Sequence, residues 1–314
     1  MHSFKIKLTK KEIAMSNIFE LSLPSGEILK GVEYLAKDAK YNLTIQTGMC
    51  EHATRYEEAA KYLNQYGINV FVLDAFGQGL NAESIERQQI WPVDGFSKNV
   101  DGIALMVDKA KENGLPTTHF GHSMGSFMTQ SFMERYPGKA NKIILCGSNG
   151  GQRMLMKLAS FLANIIVNKK NFEKPVPFIQ KLSLDAYSKS IKNRKGPNDW
   201  LSYDEENIAA YEKDPYCGAL NTGSFWKYFL KGMSKIWDKK EMKQIDKDTH
   251  IFIIAGKEDP VGQNGVGPIW LYETYKKLGI KNVSMRLYDH MRHEIFCETE
   301  KEMVFKDVAN FVTK

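Results

Sequence analysis

Five consecutive residues, Gly121-His122-Ser123-Met124-Gly125, carry the first chemical signal in the chain. A serine hydroxyl is a weak nucleophile until a neighbouring base takes its proton. G-x-S-x-G between a strand and a helix is the sharp turn that lifts such a serine above a sheet edge, beside the first free N–H groups of the helix. A side chain at Gly121 or Gly125 would strike so tight a turn, and only glycine has no Cβ to clash. With 24 glycines in 314 residues, chance supplies the pattern in about one such chain in ten, so the surroundings must carry the argument. Upstream, Thr117-Thr118-His119-Phe120 reads as a short strand. Downstream, Met124, Phe127, Met128, Ser131 and Phe132 recur at helical spacing, and Pro137-Gly138 stops the helix.

A nucleophilic Ser123 needs a base, and there are seven histidines. His2 belongs to a terminal extension, His119 lies inside the elbow strand, and His122 is locked beside the serine. His250 opens a strand and so sits at the opposite sheet edge; His52 lies in the turn after the strand that ends at Gln46. His290 and His293 are left, in the loop after the last strand, where the base of a strand–elbow–helix arrangement must lie. His293 is favoured because helical patterning begins directly after it, with His290 as the fallback. The acid that orients the imidazole should come between serine and histidine, at the carboxyl end of a strand. Ile251 to Ala255 is such a strand and runs into Gly256-Lys257-Glu258-Asp259-Pro260. Asp259 is the expected acid and Glu258 the runner-up; the competing loop Gly147-Ser148-Asn149-Gly150 has no carboxylate. Acyl transfer also needs two donors for the oxyanion. Met124 N–H follows the nucleophile, and Met49 N–H in Thr47-Gly48-Met49 is the expected second donor.

The elements that must hold these residues alternate. Asn42–Gln46, Asn69–Leu73, Lys142–Cys146, His250–Ala255 and Val283–Tyr288 read as strands, after an N-terminal hairpin-like region. Thr54–Gln65, Lys98–Asn113, Trp270–Leu278 and Lys301–Val312 read as helices. That alternation predicts a mostly parallel sheet covered on both faces. Strand signals vanish from 150 to 248, a helical stretch rich in aromatic residues. The expected organisation is a core of 1–149 and 249–314 with a helical cap at 150–248, inserted after the sixth strand over the carboxyl edge, where open α/β sheets bind ligands. Most cap aromatics should pack in its own core, with a few facing a substrate. Met154, Leu155, Leu158, Phe161, Leu162, Ile165 and Ile166 form one apolar stripe, read first as covering the pocket and second as touching a membrane surface.

Composition is that of a globular protein, 43% hydrophobic and 25% charged, and the net charge of +6 is scattered. No basic stripe with interleaved aromatics points to nucleic acid. Cys50, Cys146, Cys217 and Cys297 lie far apart in no metal or redox spacing and read as reduced thiols, Cys146 as a small buried hydrophobe. The start carries Lys5, Lys7, Lys10 and Lys11 without an apolar core, so it does not read as a secretory signal, and Met15 is a second candidate start. The expectation is a cytoplasmic protein.

With these residues in view, the chain resembles the monoacylglycerol lipase/lysophospholipase group of serine α/β-hydrolases. The matching stretches are Gly48-Met49-Cys50-Glu51-His52 with Arg55-Tyr56, Asp74 with Gly77-Gln78-Gly79, Gly121 to Gly125, Gly256 to Val261, and Arg292-His293-Glu294. They span the chain from about residue 18 to the end. The resemblance implies the α/β-hydrolase fold with an inserted cap, Ser123, Asp259 and His293 as a triad, and Met49 and Met124 as oxyanion amides. It implies an acyl-enzyme route to ester hydrolysis with no metal or organic cofactor, on a small ester with an apolar acyl or aryl group. Two departures stand out. Thr47-Gly48 replaces the family's His-Gly, and Asp74-Ala75-Phe76-Gly77-Gln78-Gly79 replaces Asp-His-Arg-Gly-His-Gly; the donated amide survives both, and loop packing is where they act. Two alternatives compete: a proline-iminopeptidase-like peptidase, whose His-Gly-Gly-Pro-Gly-like loop is missing at Thr47 to Glu51, and a non-catalytic binding protein on a hydrolase fold, which would typically have lost a triad member.

Overall fold

Runs of β-branched and aromatic residues, too short for helices and bounded by turn residues, form eight strands of one sheet in the order β1-β2-β4-β3-β5-β6-β7-β8. The computed structural model describes residues 17–314; His2, Met15 and the lysines at 5, 7, 10 and 11 lie outside the described residues. The strands are β1 (Asn17–Ser22), β2 (Ile28–Tyr34), β3 (Tyr41–Gln46), β4 (Ile68–Leu73), β5 (Thr117–His122), β6 (Lys142–Cys146), β7 (His250–Gly256) and β8 (Asn282–Tyr288). β1 and β2 form the expected hairpin, joined antiparallel to β4, and all later pairs are parallel. β4, β5 and β6 are buried almost throughout, as a sheet covered on both faces requires. The structure is an α/β-hydrolase fold.

The helices of the two faces are α1 (Glu57–Asn64), α2 (Gly95–Lys111), α3 (Met124–Arg135), α9 (Val266–Lys277) and α10 (Lys301–Thr313). α1 is preceded by a single 3₁₀ turn at Ala53–Tyr56. Two apolar clusters fill the space on either side of the sheet, one under α2 and α3 and one under α1 and α10. Parallel pairing decides where chemistry can happen. Gln46 pairs with Gly121, His122 with Cys146, Cys146 with Ile254 and Gly256 with Tyr288. The loops after β3, β5, β6, β7 and β8 therefore leave the sheet along one edge.

Between β6 and β7 the chain forms α4 (Arg153–Ile166), α5 (Pro177–Ser190), α6 (Glu205–Lys213), α7 (Gly223–Met233) and the single turn α8 (Lys239–Met242), and its only β pairing among the described residues is the lone bridge Pro175–Thr222. One sequence expectation is corrected here. The stripe on α4 does not cover the pocket: Met154, Leu155, Leu158, Phe161, Leu162 and Ile165 are exposed. α4 packs on α7, and its buried residues are Ser160 and Ala163, with Met156, Ala159 and Ile166 partly buried against the core. Small residues let two backbones approach closely, so the side with less apolar area is the one that packs. Among the described residues no helix is long and apolar enough to cross a membrane.

Candidate active site

β5 ends at His122 and α3 begins at Met124, so a single residue makes the whole turn between them. Ser123 has φ 50° and ψ −119°, a strained conformation for a residue with a side chain. Ser123 N–H donates to Cys146 O at 2.9 Å, and its carbonyl accepts from Ser126 N–H at 2.8 Å. Both flanking glycines are sterically required: a Cβ at Gly121 would overlap Thr129 Oγ1 and Gly125 O, and one at Gly125 would overlap Gln46 O and Thr47 O.

The loop after β8 brings His293 Nε2 to 2.7 Å from Ser123 Oγ, while His293 Nδ1 lies 3.0 Å from both carboxylate oxygens of Asp259. Asp259 and His293 are buried. Asp259 is fixed by accepting Val261 N–H at 2.9 Å, and its loop is tied to that of His293 by Glu258 N–H donating to Met291 O at 3.1 Å. The imidazole sits between two rings, His122 at 5.0 Å and Trp200 at 5.1 Å. Met49 follows β3 and Met124 opens α3. Neither N–H has an acceptor among the described residues, and both residues line the same cavity as Ser123.

The competing residues lie elsewhere. The His290 side chain is 93% exposed and faces Glu258, the runner-up acid, at 3.8 Å. His119 is held between Thr44 Oγ1 and Thr129 Oγ1, both at 2.9 Å, and burial pushes its pKa down to about 3, so it is neutral. His250 is exposed at the far edge beside Asn282. His52 pairs with Asp214 at 2.8 Å.

Around the site lies a charged cluster that sequence reasoning did not single out. Arg55 makes a two-point pair with Glu294 at 2.7 and 2.8 Å and reaches Glu51 at 3.2 Å and Asn207 at 3.1 Å. Glu51 accepts from Gly48 N–H, and from Tyr56 OH and His122 Nδ1, each at 2.9 Å. One buried network thus joins the Met49 loop, the elbow, the residue after His293 and α6. Gly48-Met49-Cys50-Glu51-His52, Arg55-Tyr56 and Arg292-His293-Glu294 all stand out as family stretches, but nothing in the spacing says that Arg55 and Glu294 meet. Gln78, one of the two departures, explains the loop's packing: its Nε2 donates to Gly48 O at 2.8 Å and its Oε1 accepts Cys50 N–H at 2.8 Å.

Burial alone would raise the Glu51 carboxyl, but His122 and then Arg55 outweigh it and hold it below its ordinary value of 4.5. Burial would lower His122, but the Glu51 carboxylate outweighs it and raises the imidazole above 6.5. The Glu51 contribution to stability is complete above 4.5 and fades as the pH falls; that of His122 is complete below 6.5 and fades as the pH rises through its raised value. In urea unfolding from pH 3 to 9, Glu51→Gln is therefore expected to be destabilised most between about pH 4.5 and 6.5. A deficit independent of pH would contradict the ion pair.

Ser123 opens into a cavity of about 280 Å³. Its walls are mainly apolar: Met124 and Phe127 of α3, Leu184 and Tyr187 of α5, Trp226 and Phe229 of α7. Asn149, Gln152, Gln180 and Asn198 supply polar points. More of the aromatics between β6 and β7 reach the cavity than the few expected: Tyr187, Trp200, Tyr211, Trp226, Phe229 and Trp237 line it, Phe225 and Tyr228 are buried away from it, and Phe161, Phe178 and Tyr203 are exposed.

A family model described as serine aminopeptidase, S33, matches residues 37–300. A monoacylglycerol lipase of Mycolicibacterium smegmatis is 23% identical over 287 residues, 88% of this chain and 89% of that protein. Lysophospholipase L2 of Escherichia coli K12 is 27% identical over 139 residues, 44% of this chain and 40% of that protein. Among solved structures, a thermostable carboxyl esterase from Bacillus coagulans aligns with a TM-score of 0.85 at 24% identity, covering 95% of this chain and 98% of that one. A soluble variant of a monoglyceride lipase from Saccharomyces cerevisiae aligns at 0.68 and 16% identity, covering 99% and 98%.

Proposed function

The chain belongs to the serine aminopeptidase S33 family of α/β-hydrolases, and on that premise we propose that it hydrolyses carboxylic esters carrying one apolar acyl or aryl group, with monoacylglycerols and lysophospholipids as the leading class. The observation that carries the reading is the 2.7 Å approach of His293 Nε2 to Ser123 Oγ in the lining of a mainly apolar cavity. In the proposed reaction His293 takes the Ser123 proton as Oγ attacks the ester carbonyl. Asp259 holds the imidazole with Nε2 facing the serine and stabilises its cation. The Met49 and Met124 amides receive the oxyanion. His293 then returns the proton to the leaving alcohol, and water cleaves the acyl-enzyme by the same steps. Residues 150–248 act as a cap, with α5 and α7 supplying the acyl-facing walls.

The cavity volume limits the substrate. About 280 Å³ lies just below the usual range of ligand pockets, roughly 300–1,000 Å³, and suits one acyl chain of modest length. Each buried methylene is worth about 0.8 kcal/mol, a factor of about four. In a panel of p-nitrophenyl and glycerol esters of increasing acyl length, kcat/KM is expected to rise by about that factor per methylene until the chain fills the cavity, then to level off. Aminoacyl arylamides should be poor substrates. A flat acyl-length profile combined with efficient arylamide cleavage would overturn the ester reading.

The outward face of α4 supports a second element of the proposal, transient docking on a lipid surface. Its exposed apolar residues form one stripe along the helix, Phe178 and Leu182 of α5 are also 60% and 65% exposed, and an exposed apolar stripe of this kind marks an interaction site. Phe161→Glu, with the rest of α4 unchanged, is expected to weaken binding to phosphatidylcholine vesicles while sparing turnover of a water-soluble ester. Equal loss of both activities would contradict a docking role.

A further inference from the structure

The structure also brings together three side chains far apart in sequence and outside the proposed catalytic centre. His52 follows the Met49 loop, while Asp214 and Cys217 lie between α6 and α7. Their ligand atoms, an imidazole nitrogen, a carboxylate oxygen and a thiol sulfur, all lie within 4.8 Å of one another. Among the described residues this is the one such group of three. We propose that His52, Asp214 and Cys217 form a zinc-type divalent metal site that clamps the segment joining α6 to α7 onto the loop carrying Met49.

The donor chemistry selects the metal. Nitrogen, oxygen and sulfur together suit a borderline-soft ion such as Zn²⁺ and suit Mg²⁺ or Ca²⁺ poorly. With metal bonds of about 2.0–2.3 Å, donors around one zinc lie roughly 3–4 Å apart. His52 Nε2 and Asp214 Oδ2 are at 2.8 Å, so small side-chain adjustments would seat the ion. The imidazole is already oriented for ligation. Its other nitrogen, Nδ1, lies 2.9 Å from Thr54 Oγ1, the outer hydrogen bond that fixes which ring nitrogen faces a metal. On binding, the Nε2 proton that faces Asp214 in the metal-free pair moves to Nδ1 through solvent, and Nδ1–H then donates to Thr54 Oγ1. Nε2 offers its lone pair to the ion, and the Cys217 thiol releases its proton to solvent. Water fills the fourth position.

The clamp would act on backbone that is already in register. Gly218 N–H donates to Cys50 O at 3.1 Å, and Cys50 Sγ lies 3.2 Å from Ala219 O. Metal ligation would turn this contact between the Met49 loop and the cap segment into a cross-link. The site stands independently of the ester-hydrolase reading, and binding can be measured without any substrate.

The test is titration of the reduced, metal-stripped protein with Co²⁺, a coloured stand-in for Zn²⁺. The expected result is a thiolate-to-cobalt charge-transfer band that saturates at one equivalent and disappears when Zn²⁺ displaces the cobalt. Cys217→Ser should abolish the band, and His52→Ala should weaken binding by at least about tenfold. A thermal melt of the unaltered protein gives a second reading that needs no variant, with Zn²⁺ expected to raise Tm relative to chelator. No charge-transfer band, a band that survives Cys217→Ser, an affinity unchanged in His52→Ala, or a Tm that Zn²⁺ fails to raise would each overturn the proposal.

Discussion

Replacing Ser123 with alanine is expected to lower kcat for an activated ester by about 10⁴–10⁶-fold and to leave the fold intact. The size of the loss follows from the proposed route. Without Oγ no acyl-enzyme can form, and His293 can only assist a water molecule; the two amides and the cavity then leave a residual acceleration of about 10³–10⁴ over water. The fold should survive because the elbow does not depend on the hydroxyl. Its φ of 50° is imposed by Ser123 N–H donating to Cys146 O and by the start of α3, and alanine can be held in the same backbone. What is lost structurally is one hydrogen bond to His293, worth about 1 kcal/mol. Circular dichroism and urea unfolding beside the kinetics separate the two effects. A large drop in stability with retained turnover would reverse the assignment of roles.

The second large effect distinguishes the two neighbouring histidines. His293→Ala is expected to cost a similar 10⁴–10⁶-fold in kcat, roughly, since a serine without its base is barely nucleophilic. His290→Ala should stay within about a factor of two, as is usual for a surface change worth under about 0.5 kcal/mol. The contrast is strong because the residues are close neighbours in one loop and chemically identical. One is buried between two rings at 2.7 Å from Ser123 Oγ, and the other is 93% exposed beside Glu258. Initial rates of both variants on one ester decide the matter. If His290→Ala is the inactive variant, the loop works in a different conformation from the one described.

Those two histidines also show what a sequence can reveal. Strand β6 is legible to the residue, Lys142–Cys146, because a buried parallel strand is a short apolar run with sharp ends. Ser123, Asp259 and His293 can be singled out because each lies just beyond a strand in one parallel sheet, and chain order then fixes which loop faces which. Met49 and Met124 follow from backbone position alone, without regard to their side chains. The Arg55–Glu294 pair is not legible: its partners are 239 positions apart, and no periodicity links residues that meet only through the fold. Gln78 is visible as a departure from the family pattern, yet its use as a brace on both sides of Gly48 and Cys50 needs coordinates. On α4 the apolar stripe is legible as a stripe, but the expectation that it covers the pocket fails. A helix with apolar residues on one side and small residues on the other can pack by either, and close backbone approach to α7 decides for the small ones.

The cavity and the charged network also limit each other. The carboxylates of Glu51 and Glu294 lie beside a pocket proposed to take an apolar chain. Such groups are tolerated because Arg55 and His122 neutralise them and the surrounding donors satisfy their oxygens. Leu184, Trp226 and Phe229 supply apolar wall to the same cavity.

The most direct test of the central claim is to treat the protein with a fluorophosphonate, digest it and locate the adduct by mass spectrometry. The account predicts one modified peptide, phosphonylated on Ser123, and no labelling after Ser123→Ala or after heat denaturation. An adduct on any other residue, or labelling that persists in Ser123→Ala, would contradict it.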